Sequence, residues 1–588
     1  MKYRFCLLIL IASSLFPFEF ETDIEGETSE EMIELLESLL ENPVDVNTAT
    51  KKNLLSIPFI TEEIADDIIR ARETRGGFTD KDSFRKLIPL IIYERIESFV
   101  VVIPPKVVSK KPSIYPRVRV RTRVENRYPR DDRAAGSALG LYNRILIDYG
   151  QFSGCILQEK DEGERDFVDF LAFGVKAKNV GHLEDIIVGY YGLDFGERLV
   201  LASPVLTFKG SPYQMRRKGI HLYTITGENT YKRGIALKTK KFGLFDISLF
   251  YSNASLDARS SDSVYYTYSA DHTTSTWEDI KDRVKEIIYG GHIDISGEYG
   301  TIGATYYHAS DYDSSEKRSY SPASVNFSIP GGRVTFFGEI AYSRDFAAVC
   351  GVKSRGNKFM WDVVLRYLPR SFFSPHSSPF SDRRISSYGL LNDKGIYTCL
   401  LFKPFPKTEL TIYGDHMDWE DDELPGRGYE YRIILDRRIT KGFDLGVRYR
   451  YKCKDDDYAR FARVEMDVSA IKWIGLRLRT EWAKENDTLS GELVFGDVYI
   501  HPLNTLSINY RHIIFDSDLT RFKFTEYERE LPGVMGNRFI TGHGRRNYLL
   551  VRYRPFKFLQ FSVKYEETFK KSSKLSGQVD LNLAKIKN

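Results

Sequence analysis

Long apolar runs are scarce in this chain. The one continuous run, from Phe5 to Phe16 behind Lys2 and Arg4, is shorter than the ~20 residues a membrane-spanning helix needs, and it reads as a secretory signal peptide over residues 1–20. Ala12-Ser13-Ser14 is the nearest small-residue cleavage pattern, and Cys6 lies inside the run, which argues against a lipoprotein anchor. A mean hydropathy of −0.34 excludes a helical membrane protein but not a β-barrel, whose strands are only half apolar. Cysteine is sparse too. Cys155, Cys350, Cys399 and Cys453 are scattered, with no Cys-x-x-Cys and no histidine at ligand spacing, so neither zinc nor a dense disulfide framework is indicated. A net charge of +4 over 588 residues is too near neutral to point to nucleic acid or an acidic partner.

Catalytic motifs are missing as well. The chain has no Gly-x-Ser-x-Gly elbow and no phosphate loop of the Walker type. His221, His376, His416 and His543 sit in no motif that gathers a nucleophile, base and orienting acid, and they read as loop or lumen residues. Asp415, Asp418, Glu420, Asp421, Asp422 and Glu423 offer oxygen ligands of the kind Ca²⁺ takes, but they read as an exposed charged loop. The expectation is a non-enzymatic protein with no metal and no cofactor.

What is present is strongly patterned. From Glu19 to Thr50 there is no lysine or arginine, and Met32, Leu35, Leu36, Leu39 and Leu40 recur at helical spacing. Thr28 with Glu31 forms a capping box, and Asn42-Pro43 is the stop. Residues 21–44 therefore read as an acidic amphipathic helix. Residues 45–103 carry four further short helices, with Thr50, Thr61 and Asp80 as N-caps and Gly76-Gly77 ending the longest. A basic, proline-rich linker follows over 104–116.

From residue 117 to the end the period becomes two. Val118, Val120, Thr122 and Val124 alternate with Arg117, Arg119, Arg121 and Arg123. The same holds for Phe443 to Cys453, Ile474 to Trp482 and Leu559 to Tyr565, each against a heavily charged opposite face. Segments of about ten residues with aromatic ends suit tilted membrane strands better than the ~5–6 residue strands of soluble sheets. Residues 117–588 thus predict a large antiparallel transmembrane β-barrel of about 22–26 strands, preceded by the small all-α domain.

The run Val46-Asn47-Thr48-Ala49-Thr50, Ile57-Pro58-Phe59-Ile60-Thr61 and Gly77-Phe78 resembles the helix-hairpin-helix domain of competence-type DNA-binding proteins. That resemblance implies a hairpin whose glycines bring backbone N–H groups to a DNA phosphate. Here the glycines are gone: the hairpins read Pro58-Phe59-Ile60-Thr61 and Pro89-Leu90-Ile91-Ile92. The helix that should meet the phosphate opens with Glu62, Glu63, Asp66 and Asp67, and nine Lys and Arg are offset by ten Asp and Glu over 45–102. Lys51, Lys52, Arg70, Arg72 and Arg75 are the cations left for a local patch. The whole chain is similar to a bacterial family, common in Bacteroidetes-type genomes, that joins such a degenerate domain to an outer-membrane barrel. The stretches 192–200, 228–234, 392–397 and 527–533 carry that similarity.

The reading is a transport or envelope-assembly barrel in the outer membrane, in contact with its lipid. Short turns would face the periplasm, and the helical domain would hang there as a docking module for a periplasmic protein or as a plug. Mixed luminal charge predicts an occluded lumen. The alternative is a DNA-uptake protein that uses the helical domain. The residues named for partner or DNA contact are Pro58, Phe59, Ile60, Thr61, Lys51, Lys52, Arg70 and Arg72.

Overall fold

The computed structural model describes residues 36, 39, 43–60, 62–88, 90–104, 116–202, 209, 213, 219–260, 264–266, 273–274, 280–312, 317–381, 392–419, 426–471, 473–534 and 536–583. The signal segment, nearly all of the acidic helix, Thr61 and most of the 104–116 linker lie outside them.

Alternation decides which side of each strand meets what. In the strand Phe359–Leu368, Phe359, Leu365 and Tyr367 are exposed, while Met360, Asp362, Val364, Arg366 and Leu368 are buried. The same division recurs along strand after strand, with Phe173, Val188, Ile340, Ile433, Val447, Trp482, Ile514 and Val563 on the outer face. A sheet with a charged inner side and an apolar outer side is satisfied by closing on itself, since closure leaves no unpaired edge. The wall has 24 antiparallel strands in chain order, from Arg117–Tyr128 to Ser572–Asn582. These two ends pair directly, Arg119 opposite Asn582 and Tyr128 opposite Ser573. Two short strands, Gly219–Leu222 and Lys317–Tyr320, lie against Leu183–Asp194 and Gly300–Tyr312.

The two mouths differ. At one, neighbouring strands join through a few residues, as at Gly150-Gln151, Gly181-His182 and Lys441-Gly442. Gly150 and Gly181 both have φ of 57°, the left-handed backbone that two-residue hairpins require. At the other mouth, several connections are long: 195–231, 257–283, 369–392 and 518–541. The chain enters the wall at Arg117, on the short-turn side.

The helical domain has α1 (Lys51–Leu55), α2 (Glu62–Arg75), α3 (Lys81–Arg85) and α4 (Leu90–Ile96), the four expected. Thr50 Oγ1 accepts from Asn53 N at 3.2 Å, and Asp80 caps α3 in a reciprocal pair with Ser83. Val44–Asp45 pairs in parallel with Val100–Val101 and closes the domain's two ends. Its core gathers Val46, Leu54, Ile57, Ile68, Phe78, Phe84, Ile92 and Phe99. Leu39 of the acidic segment joins it, and so do Met360 and Leu401 from the inner side of the barrel wall. Met360 and Leu401 face each other next to the short turns at 356–358 and 403–407, so the helical domain is seated at the short-turn mouth.

Candidate functional site

Two assemblies of polar groups stand out: the hairpin of the helical domain where it meets the wall, and the filled lumen.

In the helical domain, one side chain explains the motif spacing. Asn47 Nδ2 donates to Phe78 O at 2.9 Å and to Ile103 O at 2.8 Å, while Phe78 N donates back to Asn47 Oδ1 at 2.8 Å. The asparagine of Val-Asn-Thr-Ala-Thr therefore fastens the Gly-Phe corner 31 residues later and the domain's C-terminal exit. The first hairpin keeps its turn without glycine. Phe59 holds φ of 69°, the region where an L side chain costs about 1–2 kcal/mol. Pro58 and Ile60 are buried beside it. The Arg95 guanidinium lies over the Phe59 ring, 5.2 Å from its centroid, and Arg95 is ion-paired with Glu409 of the wall. The hairpin is thus tied to the barrel through Arg95.

Of the cations named for partner or DNA contact, Lys51, Arg70 and Arg72 have described side chains. Arg72 Nη1 donates to Ala49 O at 2.6 Å and lies near the carbonyls of Val46 and Asn47, holding the loop before α1 in place. Lys51 Nζ pairs with Asp66 at 2.9 Å. Arg70 is exposed near Asp67. The side chain of Lys52 and all of Thr61 lie outside the described residues.

The lumen is filled by the barrel's own connections. Phe195, Leu199, Val200, Leu201 and Tyr213 from one long connection pack with Phe372, Phe373 and Phe380 from another, against inward residues such as Phe337, Val364 and Tyr397. Many polar groups in this packing are paired. Glu339 accepts from the backbone N–H of Glu197 at 2.7 Å and of Leu199 at 3.0 Å. Arg198 meets Asp194 at 3.0 Å, and Arg366 bridges Asp393 and Asp415, both at 2.8 Å. Asp415 also meets Lys209 at 2.5 Å. His376 Nε2 lies 2.7 Å from Glu286, and burial holds its imidazole below the usual range despite that carboxylate.

A second insert occupies the other side. Residues 518–541 fold into a small hairpin, Phe524–Tyr527 against Asn537–Ile540, inside the barrel. Its glutamates point into wall cations. Glu526 accepts from Arg479 at 3.0 and 3.1 Å. Glu528 accepts from Arg546 at 2.6 and 2.8 Å, and Glu530 from Lys564 and Arg538 at 2.5 Å each. Burial would raise the Glu528 carboxyl, but Arg546, Lys564 and Arg538 override it and hold it at about 2. Glu526 goes the other way: burial outweighs its arginines and lifts it to about 7. Glu528, Glu530 and Glu566 come close enough for a metal ion, but Arg538, Arg546 and Lys564 already neutralise them.

The four stretches that carried the whole-chain similarity each contribute buried polar side chains to the inside of the barrel. Asp194, Glu197 and Arg198 belong to 192–200, Asn229 and Lys232 to 228–234, Asp393 to 392–397, and Glu528 and Glu530 to 527–533. Sequence reasoning offered the N-terminal helices as a docking module or a plug; the acidic helix lies almost wholly outside the described residues, α1 to α4 pack on Met360 and Leu401 beside the short turns, and the described filling of the lumen comes from the wall's own connections.

The other singled-out residues are apart from one another. His221 lies near Asp194, His543 is exposed beside Asp516, and His416 is stacked on Tyr429 at 4.6 Å. His416 is on the outer face of its strand, not in a loop or the lumen, because Asp415 beside it points inward. The acidic stretch is likewise divided: Asp415 is buried in an ion pair, Asp418 is on the outer face, and 420–425 lie outside the described residues. The four described cysteines are free.

Fold and lumen together define a large, internally plugged β-barrel of the outer-membrane kind. Its N-terminal domain is a helix-hairpin-helix: a family model described by that motif matches residues 41–90. No curated protein sequence matches the chain. Among solved structures it is similar to the E. coli P pilus tip assembly intermediate PapC-PapD-PapK-PapG, at 8% identity and a TM-score of 0.46, over 82% of this chain and 62% of that one. It is similar to the siderophore receptor PirA from Pseudomonas aeruginosa at 8% identity and a TM-score of 0.40, over 81% of each chain. The P pilus usher PapC translocation pore gives 8% and 0.36, over 79% of this chain and 99% of that one. Likeness at this level carries no functional assignment.

Proposed function

We propose that this protein is a non-enzymatic outer-membrane barrel for transport or envelope assembly, with its helical domain held at the periplasmic mouth as a docking module. The observation that carries the reading is where that domain sits. Short turns face the periplasm in outer-membrane barrels, and the domain packs on Met360 and Leu401 beside such turns, with Arg95 paired to Glu409. The apolar outer face supports lipid as the surrounding solvent, because a soluble barrel would not expose so continuous an aliphatic and aromatic surface. The domain's other side, where Asp67, Arg70, Glu73 and Arg75 of α2 are exposed, is the surface for a periplasmic protein.

DNA handling is the weaker reading. Lys51 and Arg72 are engaged inside the domain, and the hairpin that would meet a phosphate carries Phe59 and faces Arg95.

Protease accessibility tests the orientation. In intact cells the helical domain should resist added protease and become cleavable when the outer membrane is permeabilised. Cleavage in intact cells would place the short-turn mouth outside and overturn the reading.

A further inference from the structure

The second insert lies in the lumen the way a bound acidic chain would. Its first arm leaves the long-connection mouth, where Phe524 packs with Leu493 and Phe515, and heads towards the short-turn mouth. Along it a wall donor meets the chain at nearly every step. Arg463 Nη2 donates to Thr525 O at 3.4 Å, Arg479 Nη1 to the Glu526 carboxylate at 3.0 Å, and Arg511 Nη1 to Tyr527 O at 2.6 Å. Arg546 then takes Glu528, Lys564 takes Glu530, and Arg552 donates to Glu530 O at 2.6 Å. Gln578 Nε2 follows, reaching Pro532 O at 3.0 Å. These six cations come from five wall strands, so the tilt of the wall lines up single residues of separate strands into one ladder along the lumen.

The ladder is not neutral by itself. Arg463 holds Glu481 at 2.7 Å, Arg511 holds Asp497 at 2.6 Å, Arg546 and Lys564 share Glu566 at 3.0 Å each, and Arg479 is paired with Glu465. Four wall acids against six cations leave a positive excess among these groups. Glu526, Glu528 and Glu530 fill it, and with Arg538 of the insert the charges balance. The adjoining strand Phe443–Lys454 adds Arg448 and Arg450 on the same inner side, opposite Arg463 and Phe461.

The insert is also separable from the wall. Ser517 and Gly542, which bound it, already face each other on paired strands, so the wall closes without it. The filling from 195–231 and 369–392 is bound by one continuous apolar cluster. In the second insert, by contrast, apolar packing by Leu519, Phe522 and Phe524 is confined to the root, and the arm beyond it is held by the groups an arriving anion would use. We propose, resting on the transport reading above, that this insert is a built-in substitute for an anionic ligand: it closes a route along this side of the lumen, and when it gives way the route passes anions, selected by the six ladder cations. Arginine and lysine lining a constriction select for anions through the field they set up there.

The test records currents in planar bilayers under a KCl gradient, from the full-length protein and from a variant whose residues 518–541 are replaced by an Asn-Gly turn. The wild type should stay closed, and the variant should form a steady channel that favours Cl⁻ over K⁺ by about threefold or more. Arg546→Glu with Lys564→Glu on that background should reverse the preference, whereas Arg545→Glu, on the outer face, should not. Glu526→Gln, Glu528→Gln and Glu530→Gln together, in the otherwise intact chain, should open intermittently with the same preference for Cl⁻. That second variant decides the matter if heat-modifiable gel mobility shows the shortened chain to be unfolded. A channel with no preference, or one for K⁺, overturns the anion route and leaves the transport barrel standing. Folded variants that enter the bilayer and carry no current, or a wild type that conducts as the shortened chain does, overturn the gate. A wild-type chain that does not enter bilayers at all would overturn the transport reading itself, and the gate with it.

Discussion

Glu528→Gln should loosen the second insert by about 3 kcal/mol. The carboxylate is fully buried, with Arg546 donating twice at 2.6 and 2.8 Å, Lys564 at 3.4 Å and Arg538 Nε at 3.7 Å. The amide keeps the shape and leaves those cations facing one another. Removing one partner of a buried ion pair typically costs about 3–5 kcal/mol. The proton equilibrium gives a consistent figure. The carboxyl falls from 4.5 to about 2, and at 1.36 kcal/mol per unit this is about 3 kcal/mol in favour of the inserted state. Because the folded value is depressed, this stabilisation is fully present above pH 4.5 and is lost as pH falls through about 2. Glu526 contributes with the opposite sign. Its carboxyl is raised to about 7, so its contribution is present at low pH and lost as pH rises through 7. The difference between wild type and Glu528→Gln isolates the acid limb. Amide exchange across 524–527 and 537–540, read by mass spectrometry, reports opening of the insert directly. At pH 7 the variant should exchange about a hundredfold faster in these peptides, and the gap should shrink towards pH 3. Protection within threefold of wild type at pH 7, or a gap that does not change with pH, would refute the ion-pair account.

Asn47→Ala removes three backbone hydrogen bonds at once and should destabilise the helical domain by about 2–4 kcal/mol, measured as faster amide exchange in 44–103 with the barrel unchanged. Arg95→Glu places like charge against Glu409 and should let protease release the helical domain from the purified barrel sooner than wild type. Phe59→Gly relieves a backbone cost of about 1–2 kcal/mol but takes the ring from under Arg95, so the domain should stay folded while its release by protease quickens. Val447→Arg introduces charge on the outer face between Leu435 and Val464 and should cost about 2–4 kcal/mol in lipid-vesicle refolding titrations, whereas Arg448→Gln on the inner face should not produce a loss of that kind.

The wall was legible because its determinants are local. Alternation at period two tells which side chains face outward, and the outward positions of Phe443 to Cys453 and Leu559 to Tyr565 follow from it directly. The helical domain was legible for a related reason: Asn47 and Phe78 are a fixed pair, so their spacing survives where the hairpin glycines do not. The lumen was not. Glu526, Glu528 and Glu530 alternate like any strand, and only the register of strands 18 to 47 residues away shows that each meets an arginine or lysine. What Arg72 holds was hidden for the same reason, since a charge count cannot see the carbonyls of Val46, Asn47 and Ala49.

The same contrast bears on what the helical domain does here. A phosphate-binding hairpin needs an open approach to its backbone N–H groups, and glycine gives both the left-handed turn and the room. This chain keeps the turn at Phe59 at a backbone cost and fills the room with a ring. A cost retained without its usual benefit has to be offset locally, and what offsets it is visible: Pro58 and Ile60 buried on either side, Arg95 over the ring, and Glu409 of the wall on Arg95. The hairpin turn at Phe59 is thus part of the fastening between domain and barrel.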